Sequence, residues 1–408
     1  MTTNNPFSHL SHTIVTIYIV LMATQIIALE GFSISPIKVV AMLFAPLIIL
    51  TSGYIKLVSD ALVYGGVFLL TMTICAMCSS HLVAWNRIGY RAMYVMMFIC
   101  IHYIIYEGHI HLDFIKKVIK VLIIAYGIIF IIQHIFFLAG FREIPILNFY
   151  GSLTLKGVFK PNGLAVEASH AARILTILYW GFLKLTEIEK GHPVEFKKSW
   201  KDYSLTTSLF WFSMIAMGSA TAMIGIFLIL LYFFKKNAGI ILISLIVFVL
   251  IMNADIDNIT IKRVQVVFNS LFSDDIGSSL KKGEGSGAVR IMPIVNTINN
   301  LDWFSWKSWI GQGSVQNLDV DFVKRMFSES RYIGDITDFG LFSYLLSLIF
   351  VYRCCICNFF SMESLLFLFL ATFSVGSVYY TWLMLIIFCA VKYYTFIYQP
   401  QEDADSYN

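Results

Sequence analysis

The side chains of this protein best suited to chemistry lie in one short stretch, Phe159-Lys160-Pro161-Asn162-Gly163-Leu164-Ala165-Val166-Glu167-Ala168-Ser169-His170. It sets a cation, a carboxylate and an imidazole beside two helix-breaking residues, directly before an apolar run. Pro161 and Gly163 mark the start of the helix that follows, which the pattern predicts over 164–184. Glu167, His170 and Arg173 then recur at every third position, on or near one face of its first turns. Glu167 and His170 read either as an acid/base pair or as groups that orient a hydroxyl. Lys160 lies just outside the helix start, where its charge and the free backbone N–H groups suit an anion. The plainer reading pairs Glu167 with His170 or Arg173 so that buried charge is tolerated. Polar groups in apolar spans are rare unless used, which favours function. Ser169 adjoins His170, so the two are no nucleophile and base for each other.

These residues sit in a chain that is otherwise largely membrane. Hydrophobic residues make up 58% of the 408 and charged residues 13%, against roughly 25% charged in a soluble domain. A surface so poor in charge excludes a water-soluble globule. The sequence is read as an all-α, polytopic integral membrane protein forming a single membrane domain over 1–408. About twelve apolar runs are of a length to cross a bilayer, some short or broken: 13–30, 35–54, 61–82, 91–106, 118–139, 164–184, 204–217, 219–234, 238–253, 335–352, 362–377 and 378–396. Gly218-Ser219-Ala220 is either a tight turn between two runs or a kink in one. The first run has no basic flank and no small-residue cleavage site, so it is expected to be a retained helix.

Lysine and arginine in the short loops set the orientation. With the N-terminus inside, the cytoplasmic side holds Lys56, Lys116, Lys117, Lys190, Lys197, Lys198, Lys201, Lys235, Lys236 and Arg353. The opposite short loops hold Arg87, Arg91, Arg142, Lys156 and Lys160, of which Arg87 and Arg91 run against the rule. Both termini are therefore expected in the cytoplasm. Two loops face away, 140–163 and the long 254–334. In the second, Trp303, Trp306 and Trp309 recur at helical spacing, as in an amphipathic helix at the interface.

That long loop also carries Lys281-Lys282-Gly283-Glu284-Gly285-Ser286-Gly287-Ala288-Val289-Arg290. Glycine and serine let backbone N–H groups converge on an anion, and Arg290 supplies a planar fork for phosphate. No Gly-Lys-Ser/Thr follows, so it is no ATP-binding P-loop. Lys281 and Lys282 read as solvated. Arg290 opens an apolar-periodic, helical stretch, Ile291 to Leu301. Gly311-Gln312-Gly313 reads as a tight turn, and Arg331 as an interfacial anchor near Asp335. Gln25, His81, His102, Gln133 and His134 are scattered and read as helix–helix hydrogen-bonding groups, while His109 and His111 read as solvated. The seven cysteines have no histidines at zinc spacing and read as packing groups. The net charge of +4 gives no reason to expect a nucleic-acid partner.

The motif at 159–163 followed by Glu167-Ala168-Ser169-His170, with Gly285-Ser286-Gly287-Ala288-Val289-Arg290 and Gly311-Gln312-Gly313 in order, resembles the Wzy-type O-antigen polymerases. That family tends to carry arginine where Lys160 stands and proline where Ala168 stands. The resemblance implies a GT-C-like membrane fold in the bacterial inner membrane, with loops 140–163 and 254–334 in the periplasm. It implies a metal-independent glycosyltransferase with no cofactor. The glycan on undecaprenyl diphosphate would pass to a lipid-linked repeat unit, with a separate chain-length regulator as partner. Arg290, Lys160 and Arg173 would meet the diphosphate, and Glu167 or His170 would take the acceptor proton or hold the acceptor. O-antigen ligases share this architecture but carry a histidine in the long loop, where 254–334 has none. A lipid-linked oligosaccharide flippase would string charge along several helices. A reporter fused after Asn300 is expected to be active in the periplasm and one after Lys198 in the cytoplasm; the reverse pattern overturns this topology.

Overall fold

The computed structural model describes residues 6–25, 36–51, 59–78, 85–107, 110–141, 154–155, 158–234, 265, 269, 288–313, 332–376 and 378–398. The predicted span 238–253, the 281–287 glycine/serine run and Arg331 lie outside them. Apart from a two-residue hairpin, Thr154–Leu155 (β1) with Val158–Phe159 (β2), the described elements are helical. They are α1 (Pro6–Ala23), α2 (Pro36–Thr51), α3 (Asp60–Cys78), α4 (Trp85–Glu107), α5 (Leu112–Leu138), α6 (Ala168–Lys190), α7 (Phe196–Asp202), α8 (Ser204–Ala216), α9 (Ala220–Phe234), α10 (Ala288–Asn300), α11 (Trp306–Ile310), α12 (Ile336–Cys355), α13 (Met362–Ala371) and α14 (Tyr379–Tyr398).

The chain is a helical membrane protein. Among the described residues, five stretches are long and apolar enough to cross a bilayer: α3, α4, α5, α14, and α12 with the 3-10 turn Ile333–Asp335 before it. Membrane helices are forced by their solvent, because each backbone polar group must be satisfied within its own segment. The windows of α4 and α14 are 72% buried and those of α3 and α5 33%, so the first two are inner helices and the others present a side to lipid. Gly218, at φ +52, ends α8 and leads into α9, which settles the ambiguity there as a tight turn between two helices.

Ring contacts fix the relative directions. Tyr94 stacks on Trp382 and Tyr106 meets Tyr393, so α4 and α14 run parallel. Trp180 meets Phe388 and His170 meets Tyr379, so α6 runs parallel to both. α6 starts at Ala168, four residues later than predicted, and passes through the middle of the bundle. Small residues let it approach its neighbours: a Cβ on Gly181 would stand 2.5 Å from Ile387, and one on Gly225 would overlap Thr176.

α12 is broken where it meets the long loop. Gly340 (φ +76) sits inside it, against the Trp309 carbonyl and Ile310, while a Cβ on Gly311 (φ +93) would stand 2.6 Å from the Gly340 nitrogen. Gln312 N–H donates to the Thr337 carbonyl, 2.8 Å. The Gly-x-Gly turn is thus a backbone-to-backbone seat for α11 on the α12 break. The tryptophan segment is shorter than a full amphipathic helix: only Trp306 and Trp309 fall in α11, and Trp309 donates its indole N–H to the Trp303 carbonyl at 2.9 Å and packs on Phe342. Gly340→Ala is expected to cost about 2–4 kcal/mol, since it adds overlap to a left-handed residue. Gly66→Ala, which faces open space, is expected to leave equilibrium unfolding in detergent unchanged or slightly improved. Equal midpoints for the two variants contradict the seat.

Candidate functional site

Between β2 and α6 the chain runs from Lys160 to Glu167 without regular structure, packed inside the bundle. Pro161 has no N–H, and Gly163 takes φ +60 with the rings of Tyr126 and Phe130 at 2.8 and 2.9 Å from where a Cβ would stand, so only glycine fits. The backbone groups of this segment are met by side chains and by other backbone groups. The fully buried Gln133 of α5 accepts from Gly163 N–H at 3.0 Å and donates to Asn162 Oδ1 at 2.9 Å. Asn162 donates in turn to the carbonyls of Ala165 at 2.9 Å and Val166 at 3.2 Å. The Leu164 carbonyl accepts from Gln25 N–H, 2.9 Å. Irregular backbone persists among membrane helices only where protein satisfies it in this way.

This segment delivers Glu167, which is not inside the helix as the spacing suggested but its N-cap residue, extended at φ −146 and ψ 160. Its carboxylate makes no cap bond. Glu167 Oε1 instead accepts from Ser169 Oγ and faces His170 Nε2 at 3.5 Å. His170 Nδ1 meets the Tyr379 hydroxyl at 3.3 Å, and its ring lies 4.9 Å from that of Tyr380. The predicted Glu167–His170 association is present. Arg173 joins them through an aromatic ring: buried, it holds its guanidinium 4.5 Å over Tyr380.

A second basic side chain completes this cluster. Lys38, in the first turn of α2 and 1% exposed, lies 3.8 Å over Tyr379 and donates to Gln25 Oε1 at 2.7 Å. The two tyrosines at the start of α14 therefore stand between two buried basic side chains, the Lys38 amine and the Arg173 guanidinium, each over a ring face. Lys38, Tyr379 and Tyr380 escaped the sequence reading, and Asn162 was given no role there. Lys38 was signalled by being an ionisable residue three positions into the apolar run at 35–54. Two tyrosines at a span start look like an ordinary interfacial belt.

Lys160 is half-buried at the head of the segment, behind Phe159, whose ring stacks on Phe137 at 4.1 Å. Arg290 lies in the first turn of α10, as expected of a helix opening there; its side chain lies outside the described residues. α10 is tied to the start of α12, where Thr297 Oγ1 accepts from Ile333 N–H at 2.9 Å and the Asn300 carbonyl from Tyr332 Oη at 3.1 Å.

Arg87 and Arg91, the exceptions in the charge distribution, are paired. Arg91, buried, bonds Asp335, and Arg87 bonds Asp338, both carboxylates at the head of α12. The other polar groups divide. Gln25 does join two membrane segments. Gln133 serves the irregular segment rather than another helix; His134 bonds the Phe130 carbonyl of its own helix at 2.7 Å, and His102 stacks on Tyr106 at 4.3 Å. His111 is exposed.

Replacing Gln133 with Leu leaves Gly163 N–H and Asn162 Oδ1 buried without their partner, so it is expected to cost about 2–4 kcal/mol in detergent unfolding. His134→Leu loses an in-helix bond and the ring contacts with Phe159 and Phe212, keeps an apolar side chain among them, and is expected to cost less, about 1 kcal/mol. A reversed order contradicts the support role of Gln133.

The chain matches no known family model, and no curated protein or solved structure is significantly similar to it.

Proposed function

We propose that this protein is a polysaccharide polymerase of the Wzy type, moving a growing glycan from undecaprenyl diphosphate to a lipid-linked repeat unit at the periplasmic face of the bacterial inner membrane. The observation that carries the reading is the Glu167–His170 pair at one end of the bundle, with the buried Arg173 guanidinium and Lys38 amine on the tyrosines beside it. The chemistry of such a transfer asks for both parts. An acceptor hydroxyl attacks the anomeric carbon and gives up its proton. The anomeric C–O bond breaks, and its electron pair goes to the diphosphate oxygen, where negative charge builds. Fixed cations lower the energy of that charge most where water is scarce, and a carboxylate or imidazole within reach takes the proton.

The sorting of charge agrees with this sidedness. Lys116 pairs with Asp113 and Glu189, Lys190 with Asp202, and Lys198 with Glu195, all at the ends of helices opposite to those that carry Glu167, Lys38 and Tyr379. The site end is the one the lysine and arginine distribution assigns to the periplasm. α10, which carries Arg290, is anchored at that same end through the start of α12. Arg290 and Lys160 are assigned to the diphosphate of the lipid-linked oligosaccharide, and Arg173 to holding it.

A strain lacking the gene is expected to show a single repeat unit on lipid A–core in place of a ladder. Loss of that single unit as well points instead to a ligase or a flippase, and an unchanged ladder removes the carbohydrate reading. Arg290→Ala is expected to abolish the ladder at an unchanged membrane level of the protein; normal long chains from this variant overturn the diphosphate role of Arg290.

A further inference from the structure

The notion of an acid/base pair leaves open which member takes the proton, and the contacts of the two ring nitrogens of His170 decide it. We infer that Glu167 is the general base, and that Tyr379 and His170 are positioning residues which present it by fixing the imidazole in its Nε2–H tautomer. The inference rests on the polymerase reading for its substrate, but the tautomer itself does not. An ionised carboxylate only accepts hydrogen bonds. His170 Nε2 faces Glu167 Oε1 at 3.5 Å, so Nε2 carries a proton there. A neutral ring then has Nδ1 as acceptor, and the Tyr379 hydroxyl, 3.3 Å away, is the donor to it.

An imidazolium with both nitrogens protonated keeps the same Nε2–H toward Glu167, so the carboxylate is the proton acceptor in that form as well; Arg173, whose guanidinium stands over Tyr380, the ring beside the imidazole, opposes that further positive charge. Accessibility points the same way: the Glu167 side chain is 59% exposed and that of His170 23%, so the carboxylate is the group an incoming hydroxyl meets. Ser169 Oγ, donating to the same Oε1, holds the carboxylate from its other flank. In the step itself, the acceptor O–H proton moves to the Glu167 carboxylate as oxygen bonds the anomeric carbon. The C–O bond to the diphosphate breaks with its electron pair, and His170 keeps its proton throughout.

Three variants and one spectrum test this. Glu167→Gln removes the base and is expected to lower the polymerisation rate by about a hundredfold or more. His170→Gln keeps an N–H donor for the carboxylate and is expected to lose no more than about tenfold, whereas His170→Ala loses far more. If His170 is the base, His170→Gln falls as far as Glu167→Gln, which overturns the assignment. In purified, detergent-solubilised protein labelled with 15N-histidine, the His170 signal, identified by its absence in His170→Gln, is expected to report a protonated Nε2. Tyr379→Phe is expected to shift it toward a tautomer mixture. A protonated Nδ1 in the unsubstituted protein overturns the inference independently of any activity. A protonated Nε2 combined with an unaffected Glu167→Gln variant overturns the base role and the polymerase site together.

Discussion

Backbone that leaves the helical form inside an apolar bundle has to find partners for its N–H and C=O groups among other protein groups, and everything at the candidate site depends on how this is done between Lys160 and Glu167. Gln133 and Asn162 together satisfy Gly163, Ala165 and Val166, and Gln25 satisfies Leu164. Each such group left unmet costs about 1–3 kcal/mol. The result is a segment that delivers Glu167 to the head of α6 in an extended conformation. A helix continued back to Leu164 would have turned that carboxylate to another direction. Pro161 and Gly163 stop a helix from running back past them, one by lacking a donor and the other by its left-handed φ, and the bonds of Gln133 and Asn162 hold the residues between them and Glu167 out of the helix.

The same end of the bundle holds a second arrangement of charge, and the two are mechanically continuous. Arg91 and Asp335 join α4 to α12, and Tyr94, one turn further along α4, lies flat on Trp382, one turn below Tyr379. Trp382 in turn donates its indole N–H to the Gly376 carbonyl at 2.9 Å, just before α14. The tyrosines that bracket His170 are thus held from the α4 side by packed rings and from the α6 side by Arg173. The arginine pairs with aspartates also explain why two cations reside on the side that the lysine distribution reads as outward: they arrive neutralised by carboxylates of the next membrane segment.

Much of this was legible in the sequence, for reasons that can be named. Apolar runs translate into helices because the bilayer leaves no alternative; α2, α3, α12 and α14 follow the runs to within about a turn, while α4 and α5 each begin six residues before theirs. The motif at 159–170 announced itself through charge where charge is costly. The start of α6 was misplaced because Leu164-Ala165-Val166 is apolar enough to be helix, and only the Gln133–Asn162 contacts, 29 residues apart in the chain, hold it as an irregular turn. The Lys38–Tyr379 contact joins the second and last runs and leaves no trace in local pattern. Arg87 and Arg91 looked like exceptions because their partners lie 251 and 244 residues away. The Gly340 break was hidden inside an apolar run that reads as one helix.

The central claim is that this bundle end joins sugars at the expense of a lipid diphosphate. Its most direct test is to reconstitute the purified protein into vesicles with a single lipid-linked repeat unit, and to analyse the products by mass. The account predicts lipid-linked dimers and longer oligomers, with one undecaprenyl diphosphate released for each bond formed, and their loss with Glu167→Gln. Vesicles in which the repeat unit stays monomeric, or merely changes leaflet, contradict it.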